Sequence, residues 1–257
     1  MDVLAITDHD TTAGWAVAVA ELPAGLTLVR GAEISCRYDD ATGKRIGVHL
    51  LAYLFDPAEP GFRAARAALR DGRRRRGQRM VERLRADGHD IRWPRVQEIA
   101  GGTVGRPHVA RALMEVGAVG SIAEAFSPDW IAPGGRYHAA KPELQLRDAI
   151  GLVAGAGGVP VLAHPRTDRA RRHLPAEVIT ELAGLGLRGL EVDHPDHGPA
   201  ARAELRSVAA DAGLFVTGSS DFHGANKPEL RLAAETTDPA AYEELAAAAS
   251  GLLPVTA

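Results

Sequence analysis

Repeatedly along this chain a short run of branched apolar residues stops on a cluster of carboxylates and imidazoles, and a helical pattern follows. The first instance is Val3-Leu4-Ala5-Ile6-Thr7, ending in Asp8-His9-Asp10. Apolar runs this short, rich in branched residues, predict strands buried on both faces. Thr11 and Thr12 offer N-cap oxygens to an apolar-periodic segment that continues to Ala20. The same motif returns at Val159 to Ala163, which ends in His164-Pro165, and at Leu187 to Val192, which ends in Asp193-His194-Pro195-Asp196-His197. It returns again at Leu214 to Thr217, which ends in Gly218-Ser219-Ser220-Asp221-Phe222-His223-Gly224. Leu26 to Ser35, carrying Glu33, and Ile46 to Leu54, carrying His49 and Tyr53, predict two further strands.

Strands that alternate with helices predict an α/β fold with a parallel sheet or barrel. The rhythm is broken between about residues 62 and 140. There an Arg-rich helical pattern from Phe62 to Arg85 leads to two more helical stretches, Pro107 to Glu115 and Ser121 to Phe126. The expected division is therefore a barrel made of residues 1–61 and 141–257 with a helical insertion over 62–140. Arg73-Arg74-Arg75-Arg76 cannot share one helix face, and a solvated face is the expectation for the run.

In a parallel barrel the C-terminal strand ends gather on one face. Six predicted strand ends carry His9, Glu33, His49, His164, His194 and the pair Asp221 and His223, although the whole chain has only 10 histidines. A single histidine in an apolar stretch is ordinarily a hydrogen-bonded core residue, but the set together predicts a metal site. Imidazole mixed with carboxylate, without thiolate, suits Mn, Zn or Fe. Such ions bind phosphate, generate hydroxide near neutral pH and stabilise a leaving oxygen. The net charge of -3 argues against bulk nucleic-acid binding, and double-stranded DNA is not an expected partner. With one cysteine, Cys36, no intramolecular disulfide is possible. A reducing, cytoplasmic location is expected, and no apolar run is long enough to span a bilayer. No nucleophile elbow, P-loop or dinucleotide fingerprint is present.

Thr7-Asp8-His9-Asp10, Gly31-Ala32-Glu33-Ile34-Ser35, His49-Leu50-Leu51-Ala52-Tyr53, Ala163-His164-Pro165 and Ser220-Asp221-Phe222-His223-Gly224 resemble, in order and spacing, the motifs of the PHP (polymerase and histidinol phosphatase) family. Gly105-Arg106-Pro107-His108 inside the helical stretch resembles the stand-alone subgroup that removes phosphate from nucleotide 3′,5′-bisphosphates, some members also trimming short RNA from the 5′ end. The resemblance implies a distorted seven-stranded β/α barrel and a metal-dependent phosphoesterase. It implies metal ligation by His9, Glu33, His49, His164, Asp221 and His223, with Glu33 bridging two of up to three ions. Asp221, His223 and His9 are the expected catalytic residues. Arg106 and His108 are expected to reach substrate phosphates, and His194 and His197 are further substrate-contact candidates. The expected substrate is a small nucleotide bisphosphate or short RNA. Family members open on a strand carrying His-x-His and then an Asp ligand, and this chain has neither. One strand–helix unit, roughly 30 residues, is therefore expected to be missing, with Met1 standing inside the native protein. Val3 to Thr7 would then form an edge strand, while the group Glu33, His49 and His164 stays complete. Two other readings stand beside this one: a metal amidohydrolase on the same kind of barrel, and a truncated, catalytically weakened protein that binds metal or nucleotide.

Overall fold

A computed structural model describes residues 1–167, 172–224 and 229–257, with residues 172 and 173 described by backbone alone. The chain divides into two compact units, one made of Met1–Ala65 and Glu143–Ala257, the other of Arg66–Pro142.

The first unit is built on a mixed sheet. Its strands are β1 (Val3–Ile6), β2 (Thr27–Asp39), β3 (Arg45–Tyr53), β4 (Leu144–Gln145), β5 (Val159–Ala163), β8 (Gly189–Asp193), β9 (Phe215–Gly218) and β10 (Val255–Thr256). A separate ribbon pairs β6 (Arg166–Thr167) with β7 (Arg172–His173). Among the described residues the sheet runs β1-β2-β3-β5-β8-β9, with β4 and β10 added beside β2. The helices of this unit are α1 (Trp15–Ala20), α6 (Leu146–Gly155), α7 (Ala176–Gly184), α8 (Pro199–Ala212) and α9 (Pro239–Ala248). The α/β expectation holds, but the uniformly parallel sheet does not. β3 runs antiparallel to both β2 and β5. The reason is local: only residues 40–44 separate β2 from β3, and a parallel crossover needs a dozen or more residues. Asp40 closes this hairpin by accepting hydrogen bonds from Thr42 N–H (2.9 Å) and Lys44 N–H (3.0 Å).

β2 is buried through Ala32 to Cys36, and all five residues of β5 are buried, as their apolar runs predict. β1 is only partly covered, with Ala5 exposed. Trp15 anchors α1: its indole N–H donates to Gly31 O at 2.9 Å, and its ring packs on Phe55, which packs in turn on Phe62. Neither Thr11 nor Thr12 caps α1 as expected. Helix α1 starts after Gly14 without a side-chain cap, and Thr11 Oγ1 instead accepts from Ala13 N–H in a turn. Gly189 is required in β8, because a Cβ there would lie 2.4 Å from the Phe215 ring on β9.

The second unit is helical. It holds the greater part of α2 (Pro60–Ala86), together with α3 (Trp93–Ala100), α4 (Arg106–Glu115) and α5 (Ile122–Ala125). Its core includes Met80, Leu84, Ile91, Val96, Leu113 and Ile131. Gly77 leaves room for Trp93, whose ring a Cβ would meet at 2.7 Å. The solvated-face expectation for the arginine run holds for Arg74 and Arg75 only. Arg66, Arg73 and Arg76 are buried, because their spacing places them on one stripe of α2. Among the described residues no helix is long and apolar enough to cross a membrane.

Candidate metal centre

Glu33 sits in mid-strand, not at a strand end, and so does His49. The antiparallel register explains why they still meet. His49 pairs with Ser35 and Leu51 pairs with Glu33, so His49 and Glu33 are diagonal neighbours on one face of β2–β3. His49 also pairs with Ala163, which brings the following residue, His164, to the same place. On the other side of β2 a single parallel bridge joins His9 to Glu33. Three imidazoles from three different segments thus converge on one carboxylate. His49 Nδ1 lies 2.5 Å and His164 Nε2 3.2 Å from Glu33 Oε1, and His9 Nδ1 lies 3.4 Å from Oε2. Burial pushes the Glu33 carboxyl up, but the charges of His9 and His49 and the hydrogen bonds of His164 and His49 outweigh it. The group is held well below the usual carboxylate range.

Asp10, which closes the first motif, plays a different part from His9. It is fully buried and takes two hydrogen bonds from Ser35, N–H to Oδ1 at 2.7 Å and Oγ–H to Oδ2 at 2.8 Å. It fastens the turn that presents His9 against β2.

Sequence reasoning missed Glu191. It lies within β8, is buried, and accepts the backbone N–H of His164 at 2.9 Å. Its ligand-type oxygen clusters with nitrogens of His164 and His194. Burial raises its carboxyl above the ordinary value, against the opposing pull of His164 and His194. The signal was present as a lone acid in the apolar run Gly189-Leu190-Glu191-Val192, since a charge in a buried strand calls for a partner.

Asp221 and His223 follow β9. His223 Nδ1 donates to Asp221 O at 2.6 Å, because a carbonyl only accepts, and this leaves the Nε2 lone pair available. His9 and His223 rings approach to 6.4 Å, and His164 and His194 rings to 5.0 Å. Five non-glycine residues among those described have left-handed backbone, and three of them are here: Asp10 (φ 59°), His164 (φ 26°) and Asp221 (φ 48°). Strained residues of this kind persist where the surroundings over-determine them, as at functional sites.

Of the four predicted substrate contacts, His194 lies at this face, its Nε2 3.7 Å from Asp221 Oδ2. His197 has both ring nitrogens engaged by backbone, Nδ1 donating to Val192 O (2.9 Å) and Nε2 accepting Arg166 N–H (3.2 Å). Arg106 and His108 belong to the second unit. The Arg106 guanidinium lies over the Phe126 ring at 5.0 Å, and His108 Nδ1 accepts Gly105 N–H at 3.0 Å.

The donor set fits a divalent ion. Imidazoles and carboxylates share one face, thiolate is absent from it, and Glu33 gathers three ring nitrogens where one hydrogen bond would satisfy each oxygen. A mixed α/β sheet bearing such a set defines a candidate metal-binding protein. No family model matches the chain. Among known proteins it is 32% identical over 228 residues to the 3′,5′-nucleoside bisphosphate phosphatase of Chromobacterium violaceum, covering 86% of this chain and 76% of that protein. It is 31% identical over 225 residues to the 5′-3′ exoribonuclease Rnm of Salmonella typhimurium, covering 86% and 74%. Among solved structures, a Bifidobacterium adolescentis protein described as a metal-dependent phosphoesterase superposes with a TM-score of 0.87 at 37% identity, over 97% of this chain and 87% of that one. A Chromobacterium violaceum protein described as an amidohydrolase with bound sulfate superposes with a TM-score of 0.79 at 30% identity, over 96% and 86%. The chain belongs to the PHP family of phosphoesterases, hydrolases of phosphate esters.

Proposed function

We propose that this protein is a metal-dependent phosphomonoesterase acting on a small nucleotide of the 3′,5′-bisphosphate type, with the 5′ end of short RNA as the close variant. The observation that carries the reading is Glu33, one buried carboxylate approached by His9, His49 and His164. The names of the two relatives supply the substrate class. His9, Glu33, His49, His164, Asp221 and His223 are the proposed ligands of two or three Mn, Zn or Fe ions. When bound, such ions bind phosphate and supply a hydroxide near neutral pH.

The chain's own residues set the conditions for that chemistry. Glu33 stays ionised despite burial, so it offers full negative charge to two sides. The His223 tautomer, fixed by Asp221 O, presents a bare Nε2. Asp221, His223 and His9 are the proposed catalytic group, in the segments that follow the ends of β1 and β9. On the resemblance alone, Arg106 and His108 are proposed as contacts to substrate phosphate. Both side chains can donate to a phosphate oxygen. Arg106 is a permanent cation, and Gly105 N–H on His108 Nδ1 leaves a hydrogen on Nε2 for donation. A cytoplasmic setting completes the proposal, on the strength of the single buried Cys36.

The test is a panel of substrates with Mn added: an adenosine 3′,5′-bisphosphate, a 5′-phosphorylated short RNA, an unrelated phosphomonoester and a set of amides. Fastest turnover of the bisphosphate is expected. The neighbour described as an amidohydrolase favours a second reading, metal-assisted amide hydrolysis. Turnover of amides without phosphate release would establish that reading and overturn the first.

A further inference from the structure

His194 sits among the candidate ligands, yet its hydrogen-bonding is opposite to theirs. Asp196 N–H donates to His194 Nδ1 at 3.0 Å. A backbone N–H only donates, so Nδ1 must be bare and the neutral ring must carry its hydrogen on Nε2. A ring held in that tautomer has no lone pair on Nε2 to give an ion. His223 shows the reverse arrangement, with Nδ1 donating to a carbonyl and Nε2 left bare. The His194 side chain is 2% exposed, and its Nε2 has no hydrogen-bond acceptor among the described residues. The nearest carboxylate oxygen, Asp221 Oδ2, is 3.7 Å away, beyond hydrogen-bond reach.

The backbone that carries the ring is also held firmly. Arg202 donates to His194 O at 2.8 Å and to His197 O at 2.9 Å, and its guanidinium is anchored in turn by Glu235 at 3.0 Å. A buried N–H aimed into a polar site without an acceptor is costly to the fold, and such groups in native proteins call for an explanation.

We propose that His194 is not a metal ligand but a fixed neutral donor, its Nε2–H directed at an oxygen of the substrate's phosphate, with its tautomer set by Asp196 N–H. This rests on the reading of the site as a phosphate-ester centre. It assigns to one residue what the clustering of His164, Glu191 and His194 leaves open.

Two measurements test it without turnover. In histidine-labelled protein loaded with diamagnetic Zn, nitrogen NMR is expected to place the His194 proton on Nε2. A proton on Nδ1 overturns the proposal, and this reading needs no variant. The second is calorimetric binding of Mn, and then of inorganic phosphate to the Mn-loaded protein, for wild type, His194→Ala and His194→Gln. Mn affinity is expected to stay within about twofold of wild type in both variants. Phosphate affinity is expected to fall about 10- to 100-fold in His194→Ala, the scale of one charge-assisted hydrogen bond, and to recover partly in His194→Gln, whose amide can donate. A tenfold or greater loss of Mn affinity in both variants, unchanged phosphate affinity in both, or a wild-type protein that binds no phosphate when loaded would each overturn it. A wild type that binds phosphate yet releases none from a bisphosphate would defeat the proposed substrate and leave the role of His194 standing.

Discussion

Replacing Asp10 by alanine removes both acceptors that Ser35 uses, the 2.7 Å bond to its N–H and the 2.8 Å bond to its hydroxyl. A hydrogen bond to a charged group contributes about 1.5–3 kcal/mol. The backbone at Asp10 is left-handed, φ 59°, which costs a residue with a Cβ and no local hydrogen bond a further ~1 kcal/mol. Asp10→Ala should therefore destabilise by about 4–7 kcal/mol, a large share of the ~5–15 kcal/mol that holds a domain folded. Asp10→Asn keeps an acceptor for Ser35 N–H and tolerates left-handed backbone, so its cost should be only about 1–2 kcal/mol. Urea unfolding measures both. Trp15 is the reporter, since it is buried in the same unit, with Trp93 and Trp130 changed to Phe so that the second unit is silent. An alanine variant within about 1 kcal/mol of wild type, or equal losses for Ala and Asn, would refute the account of Asp10 as the fastener of the His9 turn.

Other changes probe the rest of the unit. Glu191 has a raised carboxyl, so the folded state binds more protons than the unfolded one above the ordinary value of 4.5, and stability falls as pH rises through that window. In chelator-treated protein Glu191→Gln should then raise the melting temperature at about pH 7 and lose that advantage at acid pH, where both states are protonated; an equal gain at both would contradict the burial argument. Asp221→Asn should abolish phosphate release while circular dichroism stays that of the folded protein, and full activity would remove Asp221 from the centre. Gly189→Ala should cost about 1–3 kcal/mol by thermal unfolding, because its Cβ would press on Phe215 at 2.4 Å; wild-type stability would show that β8 and β9 can separate freely.

Much of the first unit was legible because short apolar runs bounded by Pro and Gly leave little choice. Val159–Ala163 has the bounds that its composition predicts. Strand direction was not legible from periodicity, since alternation reads the same both ways, though the short link from Asp39 to Arg45 held the answer. Leu144 and Gln145 pair with Cys36 and Arg37, so the helix that follows Pro142 begins only at Leu146. Helix α3 escaped notice although Pro94 at its first turn and the spacing of Val96, Ile99 and Ala100 mark it. In the site, His9, Glu33, His49 and His164 could be named from the chain and the three imidazoles do converge on Glu33, but their meeting depends on cross-strand register, which no local pattern reveals. The opposed tautomers of His194 and His223 are properties of the fold, set by backbone groups that sequence alone does not place.

The measurement closest to the central claim is phosphate release from adenosine 3′,5′-bisphosphate as Mn is titrated into chelator-stripped protein, with bound metal counted at each point. The account predicts no release from stripped protein, a rise that follows metal bound at the Glu33 cluster, and loss of both binding and release in Glu33→Ala. Equal release by stripped protein, or undiminished metal binding and release in Glu33→Ala, would contradict it.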